Sequence, residues 1–146
     1  MSKKFFAAVI SIAMVLSLPI TAFASMDEPN IIKIGNTGIT PYFIGVSQVN
    51  YNFYNEGSTA YADISVVPYQ GKITKATFSV NVKKDNGTLV KSWSSTAYLS
   101  GDGRIYFSKS CTLPARGTYQ MTTTIKCYNG STLVDTINSG TIYLTY

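Results

Sequence analysis

Leu113-Pro114-Ala115-Arg116-Gly117-Thr118-Tyr119-Gln120-Met121-Thr122-Thr123-Thr124-Ile125-Lys126-Cys127-Tyr128-Asn129-Gly130 decides the fold class. Tyr119, Met121, Thr123, Ile125 and Cys127 recur at every second position, with Gln120, Thr122, Thr124 and Lys126 between them. A period of two sends the first set to one face of an extended strand and the second to the other. The β-branched run Thr122–Ile125 suits a pleated surface better than a helix. Turns close both ends of the stretch. Pro114–Gly117 reverses the chain before it, and Asn129-Gly130 after it tolerates the positive φ of a tight hairpin.

The same period governs the chain from Ile44 onward. Val46–Tyr54 places Val49, Tyr51 and Phe53 together, and Thr59–Pro68 aligns Ala60, Ala62, Ile64 and Val66. Ile73–Lys83 aligns Ala76, Phe78, Val80 and Val82, and Asp85-Asn86-Gly87 then predicts a type I′ hairpin. Leu89–Leu99 follows, with Leu89 and Trp93 in phase, and Ser100-Gly101-Asp102-Gly103 is the next turn. Arg104–Leu113 alternates Ile105, Phe107, Cys111 and Leu113, while Thr132–Tyr146 closes the chain with a bend near Ser139-Gly140. No segment has the 3.6-residue period of an amphipathic helix. Seven strands with frequent turn signals predict an all-β fold, a single antiparallel Ig-like β-sandwich. A small closed barrel, which also disposes of sheet edges, is the alternative.

Of the 146 residues, 45% are hydrophobic and 13% charged, which excludes a disordered polymer and allows one domain with an appendage. The appendage is N-terminal. Ser2-Lys3-Lys4 is a positive n-region, Phe5–Leu18 is apolar apart from Ser11 and Ser17, and Pro19 breaks it. Ala22-Phe23-Ala24 before Ser25 has the small-x-small form that a signal peptidase reads. Residues 1–24 therefore read as a cleaved signal peptide, with cleavage marked by Ala22, Ala24 and Ser25. The apolar run is shorter than the ~20 residues of a spanning helix. The mature product is expected to be secreted, with no membrane insertion. Residues 25–43, with Pro29, Gly35, Gly38 and Pro41, read as a loose leader holding a short strand at Ile31–Ile34; residues 44–146 form the sandwich.

Loss of Lys3 and Lys4 lowers the net charge from +5 to +3, and the remaining basic residues are scattered. Nucleic acid needs several phosphate contacts on one face and is not an expected partner. No cysteine near Ser25 offers a lipid anchor. Leu113-Pro114-Ala115-Arg116-Gly117 resembles the LPxTG sorting motif but has Arg116 in place of threonine, and no apolar stretch with a basic tail follows. It reads as a turn, not a sortase anchor.

A second resemblance covers Leu113-Pro114-Ala115-Arg116-Gly117-Thr118-Tyr119, which is similar to the L-x-P-G-T-x-Y corner of fibronectin type III and related Ig-like domains. There a tyrosine opening the penultimate strand ties its hydroxyl to upstream backbone, a role that would fall to Tyr119. The chain after Ser25 also resembles small secreted Ig-like proteins of Gram-positive bacteria, through Ile39-Thr40-Pro41-Tyr42, Lys91-Ser92-Trp93 and Gly117-Thr118-Tyr119. The resemblance implies fold and export and adds no catalytic residue.

Export makes a disulfide between Cys111 and Cys127 the default. A reversal at Ala115–Gly117 argues against it: about six residues at ~3.3 Å each set the two thiols roughly 20 Å apart, against the ~5.5 Å Cα separation a bridge needs. Buried free thiols are the other reading. The chain contains no histidine, which removes the usual base for a Ser or Cys nucleophile and the commonest metal ligand. Asp27, Glu28, Glu56, Asp63, Asp85, Asp102 and Asp135 are dispersed, mostly at turns, and Asp63 should face water. Asp102 in its Gly-rich turn is the single calcium candidate, and a plain turn is the simpler reading. No enzymatic activity, cofactor or metal is expected. Sixteen aromatics remain beyond Ser25, more than the core requires. Tyr54, Tyr61, Tyr69, Tyr98, Tyr106 and Tyr128 fall out of phase or at strand ends and are the candidate binding surface. The expected function is binding of a protein at the cell exterior, a second copy included. A cell-wall or host glycan stacked on tyrosine is the alternative, and a small secreted antagonist or toxin is a third class.

Overall fold

The computed structural model describes residues 43–146; the expected signal peptide, the Ala22-Phe23-Ala24/Ser25 cleavage point and the Ile31–Ile34 strand lie outside the described residues. Seven antiparallel strands follow in order: β1 (Val46–Glu56), β2 (Thr59–Pro68), β3 (Lys75–Lys84), β4 (Leu89–Tyr98), β5 (Ile105–Thr112), β6 (Thr118–Asn129) and β7 (Thr132–Thr145). They form two sheets, β1-β2-β5 and β4-β3-β6-β7, so the architecture is the sandwich and not the barrel. β4 joins β3, where the fourth strand of a constant-type immunoglobulin domain joins the other sheet.

The two-residue period does its expected job. Phe53, Ala60, Ala62, Ile64, Val66, Ile105 and Phe107 are buried from one sheet, and Ala76, Phe78, Val80, Val82, Met121, Ile125 and Cys127 from the other. Phe107 joins the layers, its ring 5.3 Å from Phe78 and 6.3 Å edge-on from Trp93. Leu89 departs from the expected phase. The register slips between Val82 and Lys83, setting Leu89 opposite Lys83 and Lys91 opposite core-facing Val82. Leu89 is therefore exposed, and only Trp93 of that pair reaches the core. The bulge is the physical reason: one extra residue flips the alternation.

Asp85-Asn86-Gly87 does form a hairpin, but as a three-residue loop. Gly87 N donates to Lys84 O at 2.9 Å, Lys84 N donates to Thr88 O at 2.8 Å, and Gly87 is left-handed (φ 86°). That is the pattern of a tight turn followed by a glycine bulge, not a type I′ pair. The bend in β7 falls where expected. Ser139 Oγ accepts from Thr123 N at 2.9 Å and donates to Gly140 O at 2.7 Å, and the pairing slips between Thr122 and Thr124.

The β5–β6 connection passes from one sheet to the other. Within it the Tyr119 hydroxyl donates to Ala115 O at 2.5 Å and accepts from Ala115 N at 3.4 Å, with the ring buried. The same turn holds the C-terminus: Gly117 and Tyr146 exchange two backbone hydrogen bonds of 2.9 Å, and Arg116 lies 5.3 Å over the Tyr146 ring.

Candidate functional site

Antiparallel pairing sorts the connections between two ends. β1–β2, β3–β4 and β5–β6 turn at one; β2–β3, β4–β5 and β6–β7 turn at the other, where the chain also enters at Phe43–Gly45. The last row of the four-stranded sheet at this second end reads Tyr98, Lys75, Tyr128, Leu133 across β4, β3, β6 and β7. Their side chains share the solvent face, and Lys75 Nζ sits 5.6 Å over the Tyr128 ring. Tyr98 is 70% exposed, Tyr69 in the β2–β3 loop 51% and Ile44 67%. Exposed Leu99, Leu133 and Tyr106 complete the end.

Hydrogen bonds tie these loops to one another. Tyr69 N donates to Gly45 O (2.9 Å), Thr74 N to Tyr128 O (2.8 Å) and Leu99 N to Thr74 O (3.0 Å). Gly130 N donates to Thr74 Oγ1 at 2.9 Å, and Asn129 Nδ2 to Gly71 O at 3.3 Å. The exposed side chains therefore stand on a fixed frame. In the β4–β5 turn, Asp102 accepts from the hydroxyls of Ser100 and Tyr106 and, at 3.1 Å, from Arg104 N. The Ser100 and Tyr106 hydroxyls hold its carboxyl below the usual range, and the same bond raises the Tyr106 phenol. Both Asp102 oxygens hold the turn, and among the described residues no group of three His, Cys, Asp or Glu could bind a metal ion.

The six candidate tyrosines do not form one platform. Tyr69, Tyr98, Tyr106 and Tyr128 lie at the loop-bearing end, whereas Tyr54 and Tyr61 sit beside the β1–β2 hairpin at the opposite end. Directly opposite in register, Tyr54 and Tyr61 stack at 5.1 Å and 14°, so each covers a face of the other. Asp63, on the same outer face, accepts from Ser108 Oγ at 2.6 Å; burial and then this carboxylate raise the Tyr54 phenol above its ordinary value.

Asp135 lies within β7, inside the strand expected at Thr132–Tyr146, and is buried opposite Cys127. Its carboxylate accepts from Ile44 N at 3.0 Å and Gly45 N at 2.7 Å, fastening the incoming chain to the loop-bearing end. A Cβ at Gly45 would meet Ile73 Cδ1 at 2.7 Å and Val134 Cγ1 at 2.9 Å, so any larger residue there must displace those side chains. The signal was present: Asp135 shares the apolar phase of Ile137. Cys111 and Cys127 are both free, on strands of different sheets, facing Ala60 and Ala76 respectively. Burial, then the Asp135 charge, pushes the Cys127 thiol up to about 12, and burial raises half-buried Cys111 as well.

No protein-family model and no curated protein matches the sequence. Among solved structures, the chain is similar to a β-glucuronidase of Bacteroides uniformis at 18% identity and a TM-score of 0.46, over 71% of this chain and 13% of that one. It is also similar to a CARDB domain of a Pyrococcus furiosus protein, solved in complex with di-metal ions, at 17% identity and a TM-score of 0.40. That match covers 74% of this chain and 90% of the domain. This chain thus spans a small part of the glucuronidase, and neither likeness lends it a ligand, a residue role or an activity.

Proposed function

We propose that the chain is an exported interaction module, without chemistry of its own, that recognises a protein partner at or outside the cell envelope through the loop-bearing end of the sandwich. One observation carries this reading. Of the eight exposed large hydrophobic side chains among the described residues, Ile44, Tyr69, Tyr98, Leu99, Tyr106 and Leu133 gather at that one end. Tyrosine and arginine are enriched at protein interfaces, and Arg104 lies at the same end as these tyrosines. The hydrogen bonds between loops reduce the ordering cost of association. The binding-only reading also rests on a chain without histidine and on carboxylates already engaged by neighbours at Asp63, Asp102 and Asp135. The split of the six tyrosines between two ends favours protein over a flat glycan platform.

The test compares two surface variants in binding to envelope and secreted proteins of the source cell. Tyr69→Ser with Tyr98→Ser and Leu133→Ser alters the loop-bearing end, and Tyr54→Ser with Tyr61→Ser alters the other. Saturable binding that only the first set abolishes is expected. Saturable co-sedimentation with insoluble walls, competed by soluble sugar and lost with Tyr54 and Tyr61, would replace the protein with a glycan.

A further inference from the structure

We infer that the edge of β1, unpaired among the described residues, pairs with β1 of a second copy of this chain, joining two three-stranded sheets into one six-stranded sheet across a two-fold axis. The surface is separate from the loop-bearing end and stands independently of the function proposed for that end.

An unpaired edge strand presents a row of free N–H and C=O groups. Among the described residues the two sheets have four edge strands: β1, β5, β4 and β7. Three are guarded. β4 carries Lys91 opposite core-facing Val82, and β5 carries Lys109 opposite fully buried Ala62, so each edge points a charge along its inward pleat. β7 is interrupted twice, at Thr122/Thr124 and at Cys127/Tyr128. Inward charges and bulges are the devices that stop strands from adding to a sheet.

β1 has neither over most of its length. Its single irregularity lies at Val46/Gln48, and from Gln48 to Glu56 the register is continuous. No residue from Val46 to Asn55 is charged. Glu56 and Thr59 flank the two-residue loop Gly57-Ser58 and form a hydrogen-bonded pair, as such hairpins require. Alternation then commits Tyr54, Asn52 and Asn50 to β2 and turns the backbone groups of Asn55, Phe53, Tyr51 and Val49 to the open side.

This edge is complementary to itself. An antiparallel copy centred on Asn52 sets Tyr51 against Phe53 of the second copy in a hydrogen-bonded pair, and Asn50 against its Tyr54 on the outer face. Inward aromatics meet inward aromatics, outward polar groups meet outward ones, and no like charges oppose. The two Asn52 residues face each other in the non-hydrogen-bonded position, where side chains approach most closely.

The experiment is sedimentation of the mature chain over a concentration series, beside Asn52→Lys and Asn52→Cys. Asn52 is exposed and away from the core, so both variants should keep the parent's thermal midpoint. The parent is expected to dimerise, and Asn52→Lys, by opposing two cations on the axis, to weaken association about tenfold or more. Asn52→Cys should oxidise to a covalent dimer, because that pair position matches the Cα separation of a disulfide, while the parent under the same oxidant does not. A parent that stays monomeric throughout, or a dimer that Asn52→Lys leaves unchanged, overturns the inference. The loop-end variants should dimerise like the parent, so failure at one surface is distinguishable from failure at the other.

Discussion

Asp135→Ala should be among the most damaging single substitutions at a polar residue of this chain. The carboxylate is buried and accepts two backbone N–H groups, Ile44 at 3.0 Å and Gly45 at 2.7 Å. A hydrogen bond to a charged group contributes roughly 1.5–3 kcal/mol, and a buried donor left unpaired costs about 1–3 kcal/mol. Gly45 is buried, so its N–H would be left without water when the carboxylate is removed. Counting the Gly45 bond in full and the partly exposed Ile44 bond in part gives a loss of about 3 kcal/mol. Against the ~5–15 kcal/mol stability of a small domain, that lowers the thermal midpoint by roughly 12 °C or more. Urea unfolding followed by fluorescence of Trp93, the sole tryptophan, measures it. Asp135→Asn, which keeps one acceptor, should lose about half as much. If Asp135→Ala stays within about 0.5 kcal/mol of the parent, the clamp is not holding the chain and the reasoning fails.

Four further outcomes follow from the same geometry. Tyr119→Phe removes a hydroxyl bonded to Ala115 on both sides and should cost about 1 kcal/mol or more, read as a shifted urea midpoint. Tyr51→Phe should leave stability unchanged or raised, because the Tyr51 hydroxyl is buried without a partner among the described residues; a loss like that of Tyr119→Phe would contradict this. Gly45→Ala should destabilise by about 2 kcal/mol or more through overpacking against Ile73, seen in the same unfolding curve. Tyr51 and Cys127 are both pushed up to about 12, so each keeps its proton in the folded state after the unfolded chain has lost it. Stability should therefore fall as the pH rises from about 9 to 12, less steeply in the Tyr51→Phe, Cys127→Ala double variant, and a thiol reagent at pH 8 should leave Cys127 unmodified until unfolding.

Much of the fold is legible because strand alternation is a local property. The faces of β2, β3 and β6 can be read directly, since Ala60 to Val66, Ala76 to Val82 and Tyr119 to Cys127 alternate without a fault and are the residues that meet in the core. β4 is less legible: the slip at Val82/Lys83 inserts a residue, and no composition signal marks it. The hairpin at Gly57-Ser58, with a φ of 56° at the glycine, carries a Gly-Ser signal that attention to Asn-Gly alone passes over, whereas Asn129-Gly130 marks its hairpin with the loop itself at Gly130-Ser131. The site is harder still. That a tyrosine is out of phase can be read from its neighbours, but the convergence of Tyr69, Tyr98, Tyr106 and Tyr128 on one end depends on which strands pair, and pairing is long-range. Asp135 illustrates the same limit, because its partners Ile44 and Gly45 are some ninety residues away in sequence.

The measurement that bears most directly on the proposed function places a photo-crosslinking residue at Tyr98 and, separately, at Tyr61, and exposes both proteins to the intact envelope and secretome of the source cell. The account predicts one saturable protein adduct from position 98, competed by unlabelled mature chain and absent when Tyr69 and Leu133 are replaced by serine, with none from position 61. Equal adducts from both positions, or an adduct indifferent to Tyr69 and Leu133, would contradict recognition through the loop-bearing end.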